Sequence, residues 1–378
     1  MNKPDIAIVG GGLLGRLLAW RAAVGGLRVS LYEAHDRLGG QATAWVAGGM
    51  VTPQAEAVDA ELELVAMGRR SLSLWRGWLP ALPKPVHYSE SGTLLVWQRT
   101  DAGEARRFAT LLRTRDPQAN YQCLDAQQLA AKEPALENRF REALFLPGEA
   151  HVDNRQLLPV LADALDGLGA ECHWNRRVED AELPDASLVI DCRGKSAKSR
   201  WKEVRGVRGE LVRLHAPGIE LRHMIRLLHP RYSIYLIARP GGNLVVGATS
   251  VESDDCSPVS VRGALELLSA AYAVLPALGE ARILELDCDC RPALPDNRPA
   301  IRYTPRLRLL EVNGLYRHGF LLSPAVVEEV LTILPQFLAN PDSELAASPR
   351  WPSLGARKAA LAGDRPSSPD GKEVLICR

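Results

Sequence analysis

Three glycines near the start of the chain have the spacing of a turn that binds phosphate groups. Gly10, Gly12 and Gly15 fit the pattern G-x-G-x-x-G, directly after a short apolar run at residues 5–9 and at the start of a run with helical spacing. Gly10 permits a tight turn, Gly12 lets the backbone approach a pyrophosphate, and Gly15 lets the helix pack closely on the strand. The unpaired N–H groups at the start of such a helix attract anions.

An acidic residue follows at the position where a ribose would be held. Residues 28–32 resume strand character and end at Glu33, 18 residues after Gly15. A carboxylate at the end of this second strand accepts hydrogen bonds from ribose hydroxyls and repels a 2′-phosphate. Strand, glycine turn, helix and strand form a βαβ unit with a right-handed crossover. The pattern predicts a site for an adenine dinucleotide, either FAD or NAD.

The segment after Glu33 favours FAD. Residues 36–43 and 47–50 are rich in glycine and small side chains. Such residues let backbone N–H groups come close to a flat cofactor and its phosphates. An NAD domain would ordinarily proceed from Glu33 to a helix and a third strand.

Composition excludes several classes of protein. The 378 residues include 46 Lys and Arg against 45 Asp and Glu, a net charge of +1, so neither a nucleic-acid binder nor a polybasic membrane-surface protein is expected. We find no run of roughly 20 uninterrupted apolar residues and no pattern of a signal peptide, and expect no membrane span. The seven cysteines are odd in number and scattered, which is typical of reduced thiols in a cytoplasmic protein.

Hydrophobic patterning predicts an α/β fold with two lobes. Strands at 5–9, 28–32 and 187–191 and helices at 13–23, 154–168 and 324–338 indicate a parallel sheet covered by helices. Between 207 and 251 the apolar runs are short and closely spaced, with a turn at 240–242, which favours an antiparallel sheet. A helix is expected at 259–275, and strands near 283–289 and 308–312 are expected to return to the first lobe.

We therefore expect a Rossmann-like FAD-binding domain interleaved with an antiparallel-sheet α+β substrate domain. The first is expected to comprise residues 1–80, 151–206 and 286–340, and the second residues 81–150 and 207–285. Residues 341–378 are rich in Pro, Ser, Ala and charge, and are predicted to be a loose tail.

Beyond these patterns, residues 4–338 resemble the D-amino-acid oxidase superfamily, and within it the glycine oxidase family of thiamine biosynthesis. The resemblance rests on the glycine turn and on blocks at Trp45–Glu56, 234–239 with 244–249, Cys290–Pro299 and Asn313–Pro324. It implies non-covalent FAD and oxidative deamination of glycine or another small amino acid to the oxo acid, ammonia and hydrogen peroxide. Oxygen is the implied acceptor, thiazole synthase a candidate partner, and a homo-oligomer the expected state.

The expected cofactor-binding residues come from the glycine turn, the following segment and the resemblance, which implies Val178 as a backbone contact to adenine. Gly319–Leu322 would direct backbone N–H groups at the flavin pyrimidine carbonyl. The full set is Gly10, Gly12, Leu13, Leu14, Gly15, Glu33, Ala34, Gln41, Ala42, Thr43, Gly48, Gly49, Met50, Val178, Gly194, His318, Gly319, Phe320, Leu321 and Leu322.

The substrate residues implied by the resemblance are Arg291, Tyr235 and Arg317. The planar fork of an arginine binds a carboxylate at two points. Arg291 and Tyr235 are expected to hold the carboxylate, with Arg317 near the amine end. Ser250 and Ser233 stand where the family carries a methionine and a histidine, which leaves the exact substrate open. No protein general base and no metal are expected.

Three alternatives remain open at this point. The first is another member of the same superfamily, either a D-amino-acid or sarcosine oxidase or a dehydrogenase that passes electrons to a quinone. The second is an FAD-binding protein without catalytic activity. The third is an NAD-dependent dehydrogenase.

Overall fold

Three sheets and the helices around them make up residues 3–343, which the structure, a computed structural model, describes. The strands are β1 Ile6–Val9, β2 Val29–Tyr32, β3 Met50–Val51, β4 Tyr88–Ser89, β5 Thr93–Val96, β6 Gln122–Asp125, β7 Glu142–Leu146, β8 Ala150–Val152, β9 Glu171–His173, β10 Leu188–Asp191, β11 Arg205–His215, β12 Met224–Leu227, β13 Tyr235–Arg239, β14 Asn243–Gly247, β15 Arg282–Ala293, β16 Ala300–Thr304 and β17 Leu309–Asn313. The α-helices are α1 Leu13–Val24, α2 Pro53–Glu56, α3 Leu62–Trp78, α4 Ala102–Arg115, α5 Ala126–Lys132, α6 Asn154–Gly167, α7 Val261–Val274 and α8 Gly319–Ala339.

The first sheet has six strands in the order β16-β17-β10-β1-β2-β9 and is parallel except for β16. All four residues of β1 are buried, as expected for a central strand covered on both faces. Ile6 and Ile8 face the large core that includes α1, α3, α6 and α8, whereas Ala7 and Val9 belong to a smaller cluster. This arrangement confirms the prediction of a Rossmann-like sheet.

The second sheet has eight strands in the order β15-β11-β14-β13-β12-β5-β7-β6. Its neighbours are antiparallel except for the parallel pair of β5 and β12. The predicted turn at 240–242 joins β13 to β14, and α7 packs on the sheet through Leu267 and Val274. A small sheet, β3-β8-β4, completes the fold.

The expected return of strand 283–289 to the first lobe is wrong. Residues 282–293 form β15, which pairs with β11 from Arg205↔Ala293 to His215↔Arg282. The apolar run resembles a buried strand, but Ile283 and Leu284 are half exposed because β15 lies at the edge of its sheet. The expected domain boundary at residue 286 therefore falls inside a strand. The predicted loose tail lies outside the described residues from position 344 onward.

Helix α8 begins five residues earlier than expected, at Gly319, so that Pro324 lies inside it. Proline has no N–H group and cannot donate to the carbonyl four residues before it, which is that of Phe320. The indole Nε1 of Trp75 donates to this carbonyl instead, at 2.9 Å. With the turn before it, α8 forms a 24-residue stretch, Tyr316–Ala339, that is long and apolar enough to span a membrane. The helix packs on α1 and α3, and 56% of the most apolar part of this stretch is buried in the protein.

Close packing at the glycine turn leads to a first prediction, for Gly15→Ala. A Cβ at Gly15 would lie 1.8 Å from the carbonyl oxygen of Gly10, so α1 would have to move away from the turn. We expect a loss of about 1–3 kcal/mol in the free energy of unfolding and a lower flavin content of the purified protein. Urea unfolding and visible absorbance measure the two effects. Gly103→Ala is the control, because a Cβ on this α4 glycine would meet no atom within 4 Å; equal effects of both substitutions would contradict the prediction.

A buried carboxyl group leads to a second prediction. Glu149 is fully buried and its Oε1 accepts the Ala55 N–H at 2.7 Å. Burial raises the pKa of Glu149 to about 7, from 4.5 for an ordinary glutamate. Between these two pH values the unfolded chain releases a proton that the folded protein keeps. Stability therefore falls as the pH rises through this interval, by roughly 3 kcal/mol.

In Glu149→Gln this fall should be absent, because the amide stays neutral at every pH. Urea unfolding at pH 5, 6, 7 and 8 measures it, with the exposed Glu137→Gln as control. An unchanged pH profile in Glu149→Gln would show that Glu149 is not protonated in the folded protein.

Candidate functional site

A cavity of about 730 Å³ lies at the carboxyl ends of β1, β2 and β10 and extends to β13 and β15 of the second sheet. This volume is typical of ligand and cofactor sites. In open parallel sheets, ligands bind beyond the carboxyl ends of the strands. The cavity therefore lies where the βαβ unit predicts it.

The start of α1 lies at the cavity and has the features of an anion-binding site. Gly12 is the N-cap residue, no side chain caps the helix, and its first turn holds no acidic residue. A Cβ on Gly12 would meet no atom within 4 Å, so the space in front of the backbone is open. At the end of β2, Glu33 accepts the N–H groups of Gly11 and His35, at 2.5 and 3.0 Å. Open helix amides beside an acid fit a pyrophosphate and its ribose.

A buried arginine that no pattern in the sequence indicated stabilises the glycine turn at residues 10–12. The fully buried Arg16 donates from Nε to the carbonyl of Gly11 at 2.6 Å. Its Nη1 donates at 2.8 Å to the carbonyls of both Arg37 and Leu158. Burial lowers the pKa of Arg16 to about 10, which leaves it charged at neutral pH. The cation thus connects the glycine turn to the segment after β2 and to α6.

The start of α8 also lies at the cavity. His318, Gly319, Phe320 and Leu321 line the cavity, and no side chain caps the helix. The Nδ1 atom of His318 is buried and has no hydrogen-bond partner among the described residues. An uncapped helix start stabilises negative charge in front of it, as a reduced flavin ring requires.

Most of the expected cofactor residues line this single cavity. Two do not. Gly15 contacts the Gly10 carbonyl, and Leu322 is fully buried in the core beside α1 and α3. A helix turns 100° per residue, so Leu322 faces away from the wall that Leu321 forms. Those that line it are Gly10, Gly12, Leu13, Leu14, Glu33, Ala34, Gln41, Ala42, Thr43, Gly48, Gly49, Met50, Val178, Gly194, His318, Gly319, Phe320 and Leu321.

Arg291, near the end of β15, is a cation in the wall without a carboxylate partner. Its Nη1 and Nη2 both donate to the carbonyl of Thr249 at 3.1 Å, and Nη1 lies 3.4 Å from the carbonyl of Arg208. Among the described residues no carboxylate oxygen lies within 4.0 Å of it. On β11, a Cβ at Gly209 would lie 2.2 Å from Nη2, so only glycine leaves room for the guanidinium. Burial lowers the pKa of Arg291, but an arginine remains charged.

Tyr235, at the start of β13, lies near Arg291 in the cavity wall. Its ring packs against two glycines, because a Cβ on Gly48 or Gly247 would lie 2.8 or 2.6 Å from it. Burial raises the pKa of Tyr235 more than the nearby Arg291 and Arg239 lower it. The hydroxyl therefore stays protonated at neutral pH and can donate a hydrogen bond. Arg239 donates to the carbonyl of Gly48 at 2.7 Å and fixes this glycine against β13.

Arg317 also lines the cavity, but its charge is already neutralised. Its guanidinium lies 2.7 Å from Glu56 and 3.0 Å from Asp59. Glu56 also accepts from His318 at 3.0 Å. Burial by itself would raise the pKa of Glu56, yet Arg317, His318 and Arg226 hold it well below its usual value. This cluster of Glu56, Arg317 and His318 joins α2 to the turn before α8.

Glu56, Asp59 and Arg226 line the cavity, and the sequence analysis did not identify them. Glu56 is the last residue of the Trp45–Glu56 block, and this is the only signal for it in the sequence. Its partners Arg317 and His318 lie 261 and 262 residues away, so no local spacing pairs them.

Comparison with known proteins identifies the family. Residues 5–331 match the family DAO, described as FAD dependent oxidoreductase. A protein named as the thiamine biosynthesis oxidoreductase ThiO of Rhizobium etli is 42% identical over 325 residues, which cover 86% of this chain and 94% of that protein. The bifunctional protein ThiO/ThiG of Synechocystis is 27% identical over 339 residues, and the match covers 85% of this chain and half of that protein.

The glycine oxidase of Geobacillus kaustophilus is 27% identical over 354 residues, covering 85% of this chain and 90% of that protein. A crystal structure of glycine oxidase from the same organism aligns with a TM-score of 0.78 at 24% identity, over 92% of this chain and 97% of that one. The family match spans both sheets and every segment that lines the cavity. The chain therefore belongs to the DAO family of FAD-dependent oxidoreductases.

Proposed function

We propose that this protein oxidises glycine or another small amino acid to the oxo acid, ammonia and hydrogen peroxide, and that it serves the thiazole branch of thiamine biosynthesis. The observation that carries the proposal is Arg291, a partly buried cation without a carboxylate partner in the described structure, in the wall of the FAD cavity. Removing a cation from water without a counter-ion is costly, and a bound anion reduces that cost. The names of the relatives from Rhizobium etli and Geobacillus kaustophilus support the pathway and the substrate.

Arg291 would bind the substrate carboxylate. Its contacts to Thr249 and Arg208 occupy three of the five N–H groups of the guanidinium, and the other two remain for a ligand. The protonated hydroxyl of Tyr235 would donate a further hydrogen bond to the same carboxylate. Two fixed points on the carboxylate orient the α-carbon of a small substrate, and orientation of this kind lowers the barrier of a reaction.

FAD, when bound, would supply the redox chemistry, as the acceptor of the two electrons of the substrate and their donor to oxygen. The chain contributes binding and electrostatics. The start of α1 and Glu33 would hold the pyrophosphate and ribose. The start of α8 would face the ring, and the cluster of Glu56, Arg317 and His318 keeps this helix start in place. Because Arg317, His318 and Arg226 hold the pKa of Glu56 well below its usual value, this carboxylate is a weak base.

We also propose thiazole synthase as a partner. The Synechocystis protein carries a second half beyond the region that matches this chain, and its name, ThiO/ThiG, describes two functions in one polypeptide. A separate chain with the first function would have to deliver its product to a separate second protein. A cytoplasmic location and a homo-oligomeric state stay predictions.

Anaerobic titration of the purified protein tests the function. Glycine, sarcosine and D-alanine are added in turn, and bleaching of the flavin absorbance reports reduction. We expect glycine to bleach the flavin, and air to restore the colour with release of hydrogen peroxide. Bleaching by sarcosine or D-alanine but not by glycine would indicate a sarcosine or D-amino-acid oxidase instead. Recovery only with a quinone would indicate a dehydrogenase, and the absence of bleaching by any amino acid would overturn the proposal.

Replacing Arg291 with methionine should weaken substrate binding far more than cofactor binding. Loss of two charge-assisted hydrogen bonds costs about 3 kcal/mol, so we expect KM for the amino acid to rise about 100-fold. Flavin content should stay near one per chain. Steady-state oxygen uptake measures KM, and visible absorbance measures the flavin content. Arg262→Met, at an exposed position on α7, should leave KM unchanged; an unchanged KM in Arg291→Met as well would show that the carboxylate binds elsewhere.

Tyr235→Phe should raise KM about tenfold, because it removes one hydrogen bond and keeps the packing of the ring against Gly48 and Gly247. We expect kcat to change less than KM. The matched control is Tyr272→Phe, whose ring is 56% exposed on α7. A fall in kcat with no change in KM would contradict a role in binding the carboxylate.

A further inference from the structure

Two cysteines far apart in the sequence meet beside Arg291. Cys256 lies in the loop between β14 and α7, and Cys290 precedes Arg291 on β15. Their Sγ atoms are 3.0 Å apart, and both are free thiols. A disulfide bond is about 2.05 Å long, so the sulfurs need to approach by only about 1 Å. Cys290 is fully buried and forms part of the cavity wall, whereas Cys256 is exposed.

A lysine in the cavity wall places a positive charge beside this pair of cysteines, which two thiols in an apolar core would lack. The Nζ atom of Lys195 lies 2.8 Å from Sγ of Cys256 and 2.9 Å from the carbonyl oxygen of Asp254. Burial by itself lowers the pKa of Lys195, but the contact with Cys256 and the nearby Asp254 outweigh it, so the pKa is raised and the ammonium stays charged. A cation beside an exposed thiol is the environment of reactive cysteines.

The two thiols differ in a way that assigns their roles. Burial raises the pKa of Cys290 to about 12, so this residue remains a thiol at neutral pH. Cys256 is exposed and contacts the ammonium, which suits the attacking sulfur. A third thiol, Cys288, is directed elsewhere and donates to the carbonyl of Ser257 at 2.7 Å.

We propose that Cys256 and Cys290 are a peroxide-sensitive dithiol that closes to a disulfide next to the carboxylate-binding Arg291. The supply of peroxide by the protein itself rests on the proposed function. Cys256 attacks one oxygen of hydrogen peroxide, the O–O bond breaks, and one water leaves, with a sulfenic acid on Cys256. The sulfur of Cys290 then attacks Cys256, the S–O bond breaks, and a second water leaves with the thiol proton. Two thiols lose two electrons and two protons, and one peroxide becomes two waters.

The disulfide would tie the loop after β14 to β15. The same loop supplies the Thr249 carbonyl that accepts from both terminal nitrogens of Arg291. Oxidation therefore fixes the surroundings of the carboxylate-binding group in response to the expected product of the reaction.

The test uses the reduced holoprotein and reagent hydrogen peroxide, without substrate. Thiol titration and peptide mapping follow the reaction. We expect the loss of two thiols per chain, a linked pair of peptides containing Cys256 and Cys290, and reversal by dithiothreitol. Cys256→Ser should keep Cys290 reduced, and Cys123→Ser, at another exposed cysteine, should behave as the unmodified chain. Lys195→Gln should form the link several-fold more slowly.

Three results would overturn the proposal: no loss of thiols, a sulfinic acid on Cys256 with Cys290 still reduced, or a link between Cys256 and Cys288. A second sample, turning over glycine in air without added peroxide, separates this proposal from the proposed function. A link formed by reagent peroxide but absent after turnover would contradict the oxidase and leave the dithiol assignment standing. A link in both samples would support both proposals.

Discussion

An uncompensated positive charge at Arg291 is the constraint on which the site depends. Two neighbouring strands of the eight-stranded sheet create it, because the guanidinium is carried by β15 and is given room by Gly209 on β11. Its nearest acceptors are backbone carbonyls, which orient the group and leave its charge unneutralised. By contrast, Arg317 is paired with two carboxylates. The two arginines therefore differ in their partners: carboxylates neutralise Arg317, whereas Arg291 bonds only backbone carbonyls in the described structure.

Helix starts provide the second set of charges. The first turns of α1 and α8 both lie at the cavity without a capping side chain. Each is held in place by a buried side-chain donor, which comes from α1 itself in the first case and from α3 in the second. Arg16 bonds the carbonyl of Gly11, and Trp75 bonds the carbonyl that Pro324 leaves without a partner. Backbone dipoles therefore face the positions expected for the pyrophosphate and the ring.

Local features of the sequence were sufficient for part of this description. The glycine turn and Glu33 lie within one βαβ unit, so their spacing alone predicts the dinucleotide end of the site. The family resemblance placed Arg291 and Tyr235. The Glu56 cluster and the hydrogen bond from Arg16 to Leu158 depend on partners more than a hundred residues away, and no local pattern contains them. The sequence pattern places the start of α8 at Pro324, because proline is common in the first turn of a helix. Pro324 is tolerated further inside the helix because Trp75 donates to the carbonyl that this proline leaves without a partner.

The order of strands along the chain has a consequence for dissection of this protein. The polypeptide enters the eight-stranded sheet for β5 to β7, returns to the first sheet for β9 and β10, leaves again for β11 to β15, and ends its described strands in the first sheet. No single cut yields one fragment with the whole six-stranded sheet and another with the whole eight-stranded sheet. Limited proteolysis or truncation between the strands should therefore abolish cofactor binding and substrate binding together. Chimaeras with relatives would need at least four junctions to exchange one sheet.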